Sequence, residues 1–528
     1  MFDRNGLLRS AATFLPLALI AGCGSLSGDG GGEERSLVVG TTSAPSSLDP
    51  AAAWDGSWEL YRNIYQTLMT VPNAGSSPEP DAASSCGFTD SSSTVYRCTL
   101  REGLKFSSGN RLDARAVKHA FDRTQALKVK SGPSSLLSSL SRTEAVGPRT
   151  VVFHLKKPDA TFPFVLSTPG ASLVDPESYP EGKLRSGREA TGSGPYTLKG
   201  YTPNKEAVLA KNPEYKGAAK VRNDSVTIRY FAHSSTMVKD LKAGRIDLTY
   251  RGLTPRQITA FQDAGSTGKD DVELNEMTGT EIHYLVFNPK DPQARKPAVR
   301  DAVAQLVDRK ALVRRVYDRT ADPLYSMVPT GVAGHTNAFL DRFGEPDHAK
   351  ARQILRGAGI DEQVRLTLWY ASDRYGEATE REFKELERQL EASGLFEITV
   401  KGRGWEEFQK GYLQGEYPVF GRGWSADFPD ADNYITPFVG EDNAMGTPYP
   451  SPALTEKLLP RSRKQSDRGT AGTSFAAAQK VMADDARLLP LWQGKVYIAS
   501  HKDVAGVEWA IDASVIMRMW ELYKKSSW

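Results

Sequence analysis

Val226 to Leu248 reads VTIRYFAHSSTMVKDLKAGRIDL. Val226 to Phe231 is rich in β-branched and aromatic residues and is expected to be a strand, whereas Thr236 to Ala243 is expected to be a helix that Gly244 closes. Ile246-Asp247-Leu248 then starts a second strand. The same alternation recurs outward from this unit. Ser36 to Gly40 reads as a strand followed by the turn Ser47-Leu48-Asp49-Pro50, and Val95 to Phe106 as a strand broken by Ser107-Ser108-Gly109-Asn110. Asp113 is placed to cap the helical run Ala114 to Phe121, and Val151 to Leu155 is a strand ended by Lys157-Pro158. Pro297 suits a first helical turn, with Val299, Val303, Leu306 and Val307 at helical spacing, and Asp308 caps a further helix through Val316. Phe383, Leu386 and Leu390 form another stripe that stops at Gly394. Short strands alternating with helices predict a mixed α/β body, with the apolar stripes as its core.

A chain of 528 residues exceeds one simple core and points to two or three domains. Hydrophobic residues make up 39% and charged residues 25%, the composition of a folded protein. Lys and Arg total 67 against 64 Asp and Glu, and the cations form no stripe that could follow a phosphate backbone, so nucleic acid is not an expected partner.

Arg4 and Arg9 precede an apolar run from Ala11 to Ala21, too short to span a bilayer and suited to a signal peptide over residues 1–22. Leu19-Ile20-Ala21-Gly22-Cys23 resembles a bacterial lipobox, which makes Cys23 the expected site of lipidation. A Gly/Ser-rich stretch follows it, so residues 23–35 read as a lipidated cysteine with a flexible tether. The other two cysteines, Cys86 and Cys98, are expected to pair as a disulfide in an exported chain.

Several further segments, in order, resemble the family 5 extracellular solute-binding proteins, which include oligopeptide, dipeptide and nickel receptors. They are Leu48-Asp49-Pro50, Leu100-Arg101-Glu102-Gly103-Leu104-Lys105-Phe106, Gly192-Ser193-Gly194-Pro195-Tyr196, Asn212-Pro213-Glu214-Tyr215, Ala243-Gly244-Arg245-Ile246-Asp247, Val299-Arg300-Asp301-Ala302-Val303 and Gly423-Trp424-Ser425-Ala426-Asp427-Phe428-Pro429-Asp430. Lys211 and Lys216 depart from the Arg and Trp that usually flank the fourth of these. The resemblance implies a two-lobed periplasmic-binding-protein-like clamp of type II, cluster C-like, with an extra small domain in the first lobe. Its implied boundaries are 36–285 plus 495–528 for lobe 1, about 63–185 for the extra domain and 286–494 for lobe 2, with a hinge near Phe287 and Lys495.

No pattern of nucleophile, base or metal ligands supports catalysis. Pro195 after Gly192-Ser193-Gly194 rules out the strand-to-helix elbow of a hydrolase, and the seven histidines include no HxH or HExxH pair. Neither a metal nor a cofactor is expected. The segment Gly423 to Tyr434 interleaves Trp, Phe and Tyr with Asp427, Asp430 and Asp432, a mixture suited to a binding cleft. By resemblance to the peptide-binding branch, Asp427 would hold a peptide α-ammonium group and Trp424 would wall a side-chain pocket. The backbone of Gly423 and Ser425 would pair with an extended peptide. Asp430 and Asp432 read as a capped turn, and Arg403 and Arg422, candidates for the ligand carboxylate, read as solvated side chains. The implied protein is a monomeric, membrane-anchored receptor that delivers peptides to an ABC permease and ATPase. A metal complex or other small solute is the alternative cargo, and a peptide-signal receptor without transport is the alternative role.

Overall fold

The structure, a computed structural model, describes residues 35–72, 77–266, 271–441, 443–512 and 514–525. The expected signal peptide, Cys23 and the expected tether up to residue 34 lie outside the described residues. From Arg35 onward the chain forms one compact unit.

Its framework is a mixed sheet of eleven strands. From one edge the order is Phe396–Arg403, Val364–Ala371, Val419–Trp424, Val272–Phe287, Leu488–His501, Leu248–Tyr250, Ser36–Thr41, Ser225–Tyr230, Glu206–Lys211 and Tyr196–Thr202, and Ala321–Pro323 pairs with Leu488–His501 off this path. Ser36–Thr41 lies parallel to both Ser225–Tyr230 and Leu248–Tyr250, with the helix Ser234–Lys242 between the latter two in sequence. That arrangement is the strand–helix–strand unit expected from Val226 to Leu248. Gly244 ends the helix at φ +67°, with Arg245 N bonded back to Asp240 O at 2.9 Å. Asp113 accepts from the backbone N–H groups of Arg115 and Ala116, and Asp308 from that of Ala311, as helix caps do. The strand expected over Val95 to Phe106 ends earlier, at Leu100, because Gly103 takes φ +66° and turns the chain out of the sheet.

Four large hydrophobic cores surround this framework among the described residues, with a smaller fifth around Met237, Leu241, Ile246 and Phe261. The first joins Leu37, Val39, Leu209 and Ile228 to Ile498, Met517 and Leu522 from the far end of the chain. A second fills the space beneath a separate four-stranded antiparallel sheet, Ala83–Phe88, Val95–Leu100, Thr150–Leu155 and Leu140–Val146, with Phe121, Phe153 and Phe162 at its centre. The remaining two lie on opposite faces of the second half of the large sheet. Leu285 and Phe287 enter one and Ile282, Tyr284 and Val286 the other, because successive side chains of a strand point to opposite faces. Phe383, Leu386 and Leu390 pack into the first of these from the helix Thr379–Glu391.

Two long strands, Val272–Phe287 and Leu488–His501, run antiparallel through both halves. Their register is interrupted between Thr278 and Ile282, opposite Lys495 and Gln493. There a side chain on Gly279 would collide with the Gly494 backbone, so the crossing requires the missing Cβ. The break therefore lies beside Lys495, while Phe287 is at the far end of its strand, inside the core of the second half.

Two of the sequence segments above have structural explanations. Asp49, fully buried, receives two bonds from the Arg123 guanidinium at 2.9 and 2.6 Å, and the backbone N–H groups of Ala51 and Arg185. Gly192 and Gly194 lie so close to the Ile64 carbonyl that any side chain would collide with it. Cys86 and Cys98 face each other across the first two strands of the small sheet and form a disulfide.

Candidate functional site

The strand Val419–Trp424 is paired along its length with Ile282 to Phe287, and on its other side Val364–Ala371 reaches only Val419 and Phe420. Beyond Phe420 that edge has no partner strand among the described residues. The chain then leaves the sheet, and Asp430 caps a short 3-10 turn by accepting from Asp432 N at 2.8 Å.

This turn settles which carboxylates are already committed. Asp430 takes two bonds from Arg468, at 2.7 and 2.9 Å, and Asp432 two from Arg463, at 2.9 and 2.8 Å. Such bidentate pairs are strong and geometrically specific. Burial works against the Asp432 charge, but Arg463 prevails and keeps its carboxyl below the usual range. Both residues are more than members of a capped turn: each ties the segment to the region that follows it.

Asp427 differs. It is 4% exposed, and no cationic side chain lies within ion-pair distance of it among the described residues. Its carboxylate accepts from the Asn433 amide at 3.1 Å, while its own N–H donates to the Asn433 side-chain carbonyl at 3.0 Å. Burial pushes the Asp427 carboxyl up to about 7, an effect that bonds from Asn433 and Trp54 offset only in part.

Asp427 and Trp424 line one cavity of about 500 Å³. Trp424 is half-buried, with its indole N–H on Asn433 O at 2.9 Å and its ring edge-on to Phe438. Trp54, Leu136, Asp159 and Val165 form the opposite wall, so the cavity lies between the small-sheet side and the second half of the large sheet. Besides the Trp54 bond to Asp427, three contacts bridge the two sides. Phe428 stacks on Phe164 at 5.7 Å, Ala160 N donates to Arg463 O at 2.8 Å, and Ser514 Oγ donates to Asp427 O at 2.9 Å. Gly423 and Ser425 do not line this cavity; Gly423 lies against Tyr375 and His283, and Ser425 is exposed just past the strand.

A second cavity, of about 330 Å³, lies beside the register break and is lined by Arg251, Arg374, Tyr375, Gly279, Glu281, Lys495 and Val515, among others. Arg251 is paired with Glu59 at 2.7 Å and Lys495 with Glu276 at 2.7 Å. Arg374 is exposed, stacks over Trp405 and has no carboxylate within ion-pair distance among the described residues.

The two arginines considered for a ligand carboxylate have other roles. Arg403 is exposed, as expected, and paired with Glu407 at 3.0 Å. Arg422 is not solvated: it is buried against Tyr412 and Trp405 and donates to Ala444 O at 3.2 Å. Sequence reasoning missed this because the aromatic residues that bury Arg422 come from the helix Trp405–Gln414, which lies before it in the chain. Asn433, Trp54, Arg374 and Ser514 were also missed. Asn433 was within the quoted segment, whereas Trp54 and Ser514 reach the site only through long-range folding. Ser193 is buried and its hydroxyl has no partner among the described residues, and Gly192-Ser193-Gly194 is an irregular stretch that bends at Gly194 and Pro195.

The family model for bacterial extracellular solute-binding proteins, family 5 (middle segment), matches residues 77–446. The "Probable D,D-dipeptide-binding periplasmic protein" of Escherichia coli (strain K12) is 25% identical over 489 residues, covering 89% of this chain and 90% of its own. The glutathione-binding protein of the same strain is 25% identical over 513 residues, covering 95% and 96%. Among solved structures, a Helicobacter pylori periplasmic binding protein in complex with the peptide STSA superposes with a TM-score of 0.76 at 22% identity, covering 93% of this chain and 98% of the other. A Listeria monocytogenes ABC-transporter substrate-binding protein gives 0.79 at 21% identity, covering 93% and 100%.

Proposed function

The chain belongs to the bacterial extracellular solute-binding proteins of family 5, and we propose that its solute is a peptide, captured between the lobes for delivery to an ABC importer. The family is a non-enzymatic class of extracytoplasmic proteins, and the fold is the two-lobed clamp of its solved relatives. The observation that carries the peptide reading is Asp427, a buried carboxylate without a cation, facing a cavity between the lobes. A peptide α-ammonium group supplies the missing charge. Trp424 and Trp54 provide apolar walls for the first side chain, and the unpaired edge beyond Phe420 suits strand addition by the peptide backbone through Gly423 and Ser425. The free guanidinium of Arg374 in the cavity beside the register break is our candidate for the peptide carboxylate. The break itself, at Gly279 to Glu281 and Gly494, is the proposed hinge, because lobe closure concentrates backbone change at few positions. Cys23, outside the described residues, is the proposed lipid anchor.

Native mass spectrometry of the purified chain identifies retained ligand. Calorimetry then compares a recovered peptide with its N-acetylated form. Removing one partner of a desolvated charge pair costs about 2–5 kcal/mol, so Asp427→Asn should weaken the free peptide by roughly 30-fold to several-thousand-fold. Wild type should reject the acetylated peptide. Equal wild-type affinity for both forms refutes the assignment.

A further inference from the structure

Asp512, Ser514, Val515 and Ile516 are held more firmly than residues of a surface turn require. Asp512 pairs with the largely buried Arg62 at 3.2 Å and accepts from the backbone N–H groups of Ser514 and Ile516, both at 2.9 Å. Val515 has φ +61°, a left-handed conformation that is a real outlier for a β-branched residue. Its carbonyl accepts from Tyr250 Oη at 2.5 Å and from Arg251 Nη2 at 3.0 Å, and Arg251 is itself fixed by Glu59. Strain of this kind persists only where surrounding contacts over-determine it, and it clusters at functional positions.

What the loop presents is the Ser514 hydroxyl. Ile516 and Met517 anchor its far end in the first core, whereas Asp427 is flanked by Ala426, Ala431 and Tyr434 of a core in the second half of the sheet. Asn433 holds the Asp427 N–H and carboxylate from within the second lobe. Ser514 holds the Asp427 carbonyl from the first. Of the bonds to the Asp427 main chain, the one from Ser514 must break when the lobes separate, together with the Trp54 bond to its carboxylate.

We propose that Ser514 is a positioning residue: its strained, clamped loop locks the main chain of Asp427 once the lobes close and thereby slows ligand release. The proposal rests on the Asp427 reading above. Because the bond forms only after closure, it acts on dissociation and not on encounter.

Stopped-flow tryptophan fluorescence on the full mature chain, with trialanine and N-acetyl-trialanine as probes, tests it. One neutral hydrogen bond contributes about a fivefold factor, so Ser514→Ala should raise koff for trialanine about fivefold and leave kon within about twofold. Ser514→Thr, which keeps the hydroxyl, should restore the wild-type rate. A change in thermal stability that Thr also fails to repair would mark a merely structural role and overturn the proposal, as would an unchanged koff. Equal binding of both probes by wild type, with koff still raised by Ser514→Ala, refutes the ammonium reading while the lock stands. If neither probe binds, the peptide recovered from the purified chain by native mass spectrometry serves as the probe, and an unchanged koff for it in Ser514→Ala overturns the proposal.

Discussion

Ligand affinity should follow a bell-shaped pH profile, because the proposed pair titrates on both sides. Ligand-free Asp427 is pushed up to about 7 by burial, and a peptide α-amino group has a pKa of about 8. Binding needs the carboxylate charged and the amine charged. The product of the two charged fractions is about 0.6 at pH 7.5 and about 0.1 at pH 6 or pH 9. Affinity should therefore fall about sixfold on either side of pH 7.5. Proton linkage gives a sharper signature. At pH 6 binding should release nearly one proton, from Asp427; at pH 9 it should take up nearly one, onto the amine; near pH 7.5 the two cancel. Calorimetry in buffers of different ionisation heat measures this directly. Flat affinity from pH 6 to 8 with no proton release at pH 6 would refute the reasoning. The same shift acts on stability. A carboxyl whose folded pKa is raised from about 3.9 to about 7 contributes stability that is fully present below about pH 4 and lost as pH rises through 7, up to about 4 kcal/mol. Asp427→Asn should thus stabilise the ligand-free chain near neutral pH while weakening peptide binding, an exchange of stability for function.

Asp49→Asn leaves Arg123 buried beside a neutral amide and should destabilise the first lobe by about 3–5 kcal/mol, measured by chemical denaturation; a loss under 1 kcal/mol would contradict the buried-pair account. Replacing Cys86 and Cys98 by Ser removes a short cross-link and should cost roughly 2–3 kcal/mol, with thiol counting on unreduced, denatured wild type finding both cysteines blocked. Cys23→Ala should release the protein from the membrane fraction or leave it unprocessed, because the residues before it are too short a run to span a bilayer; normal processing with full membrane retention would count against lipidation.

The parts of this molecule that could be read from its sequence are those governed by neighbours within a few residues. Asp113 and Asp308 cap the helices that follow them, Gly244 stops the helix before it, and period-two runs such as Val151 to Leu155 became strands. Asp427 was set apart from Asp430 and Asp432, which read as a capped turn, by the family resemblance, while nothing in the chemistry of neighbouring residues gave the physical distinction. That distinction depends on Arg463 and Arg468, more than thirty residues on. Arg422 and Ser514 were illegible for the same reason. The register break was displaced from Phe287 because a sixteen-residue strand can cross between lobes without leaving the sheet, and sequence shows only where a strand ends.

The first core draws Leu37 and Val39 from the start of the folded chain and Ile498, Met517 and Leu522 from its end, and Asn223 donates to the carbonyls of Met519 and Leu522 at 2.8 and 2.9 Å. Biosynthesis runs in one direction. Residues 37–228 can finish their interior only after residues 498–522 have been made, whereas both cores on residues 282–492 draw on one continuous stretch. Residues 37–228 therefore stay incomplete while residues 282–492 can already close, so the two halves finish their interiors in the reverse of the order in which they are made.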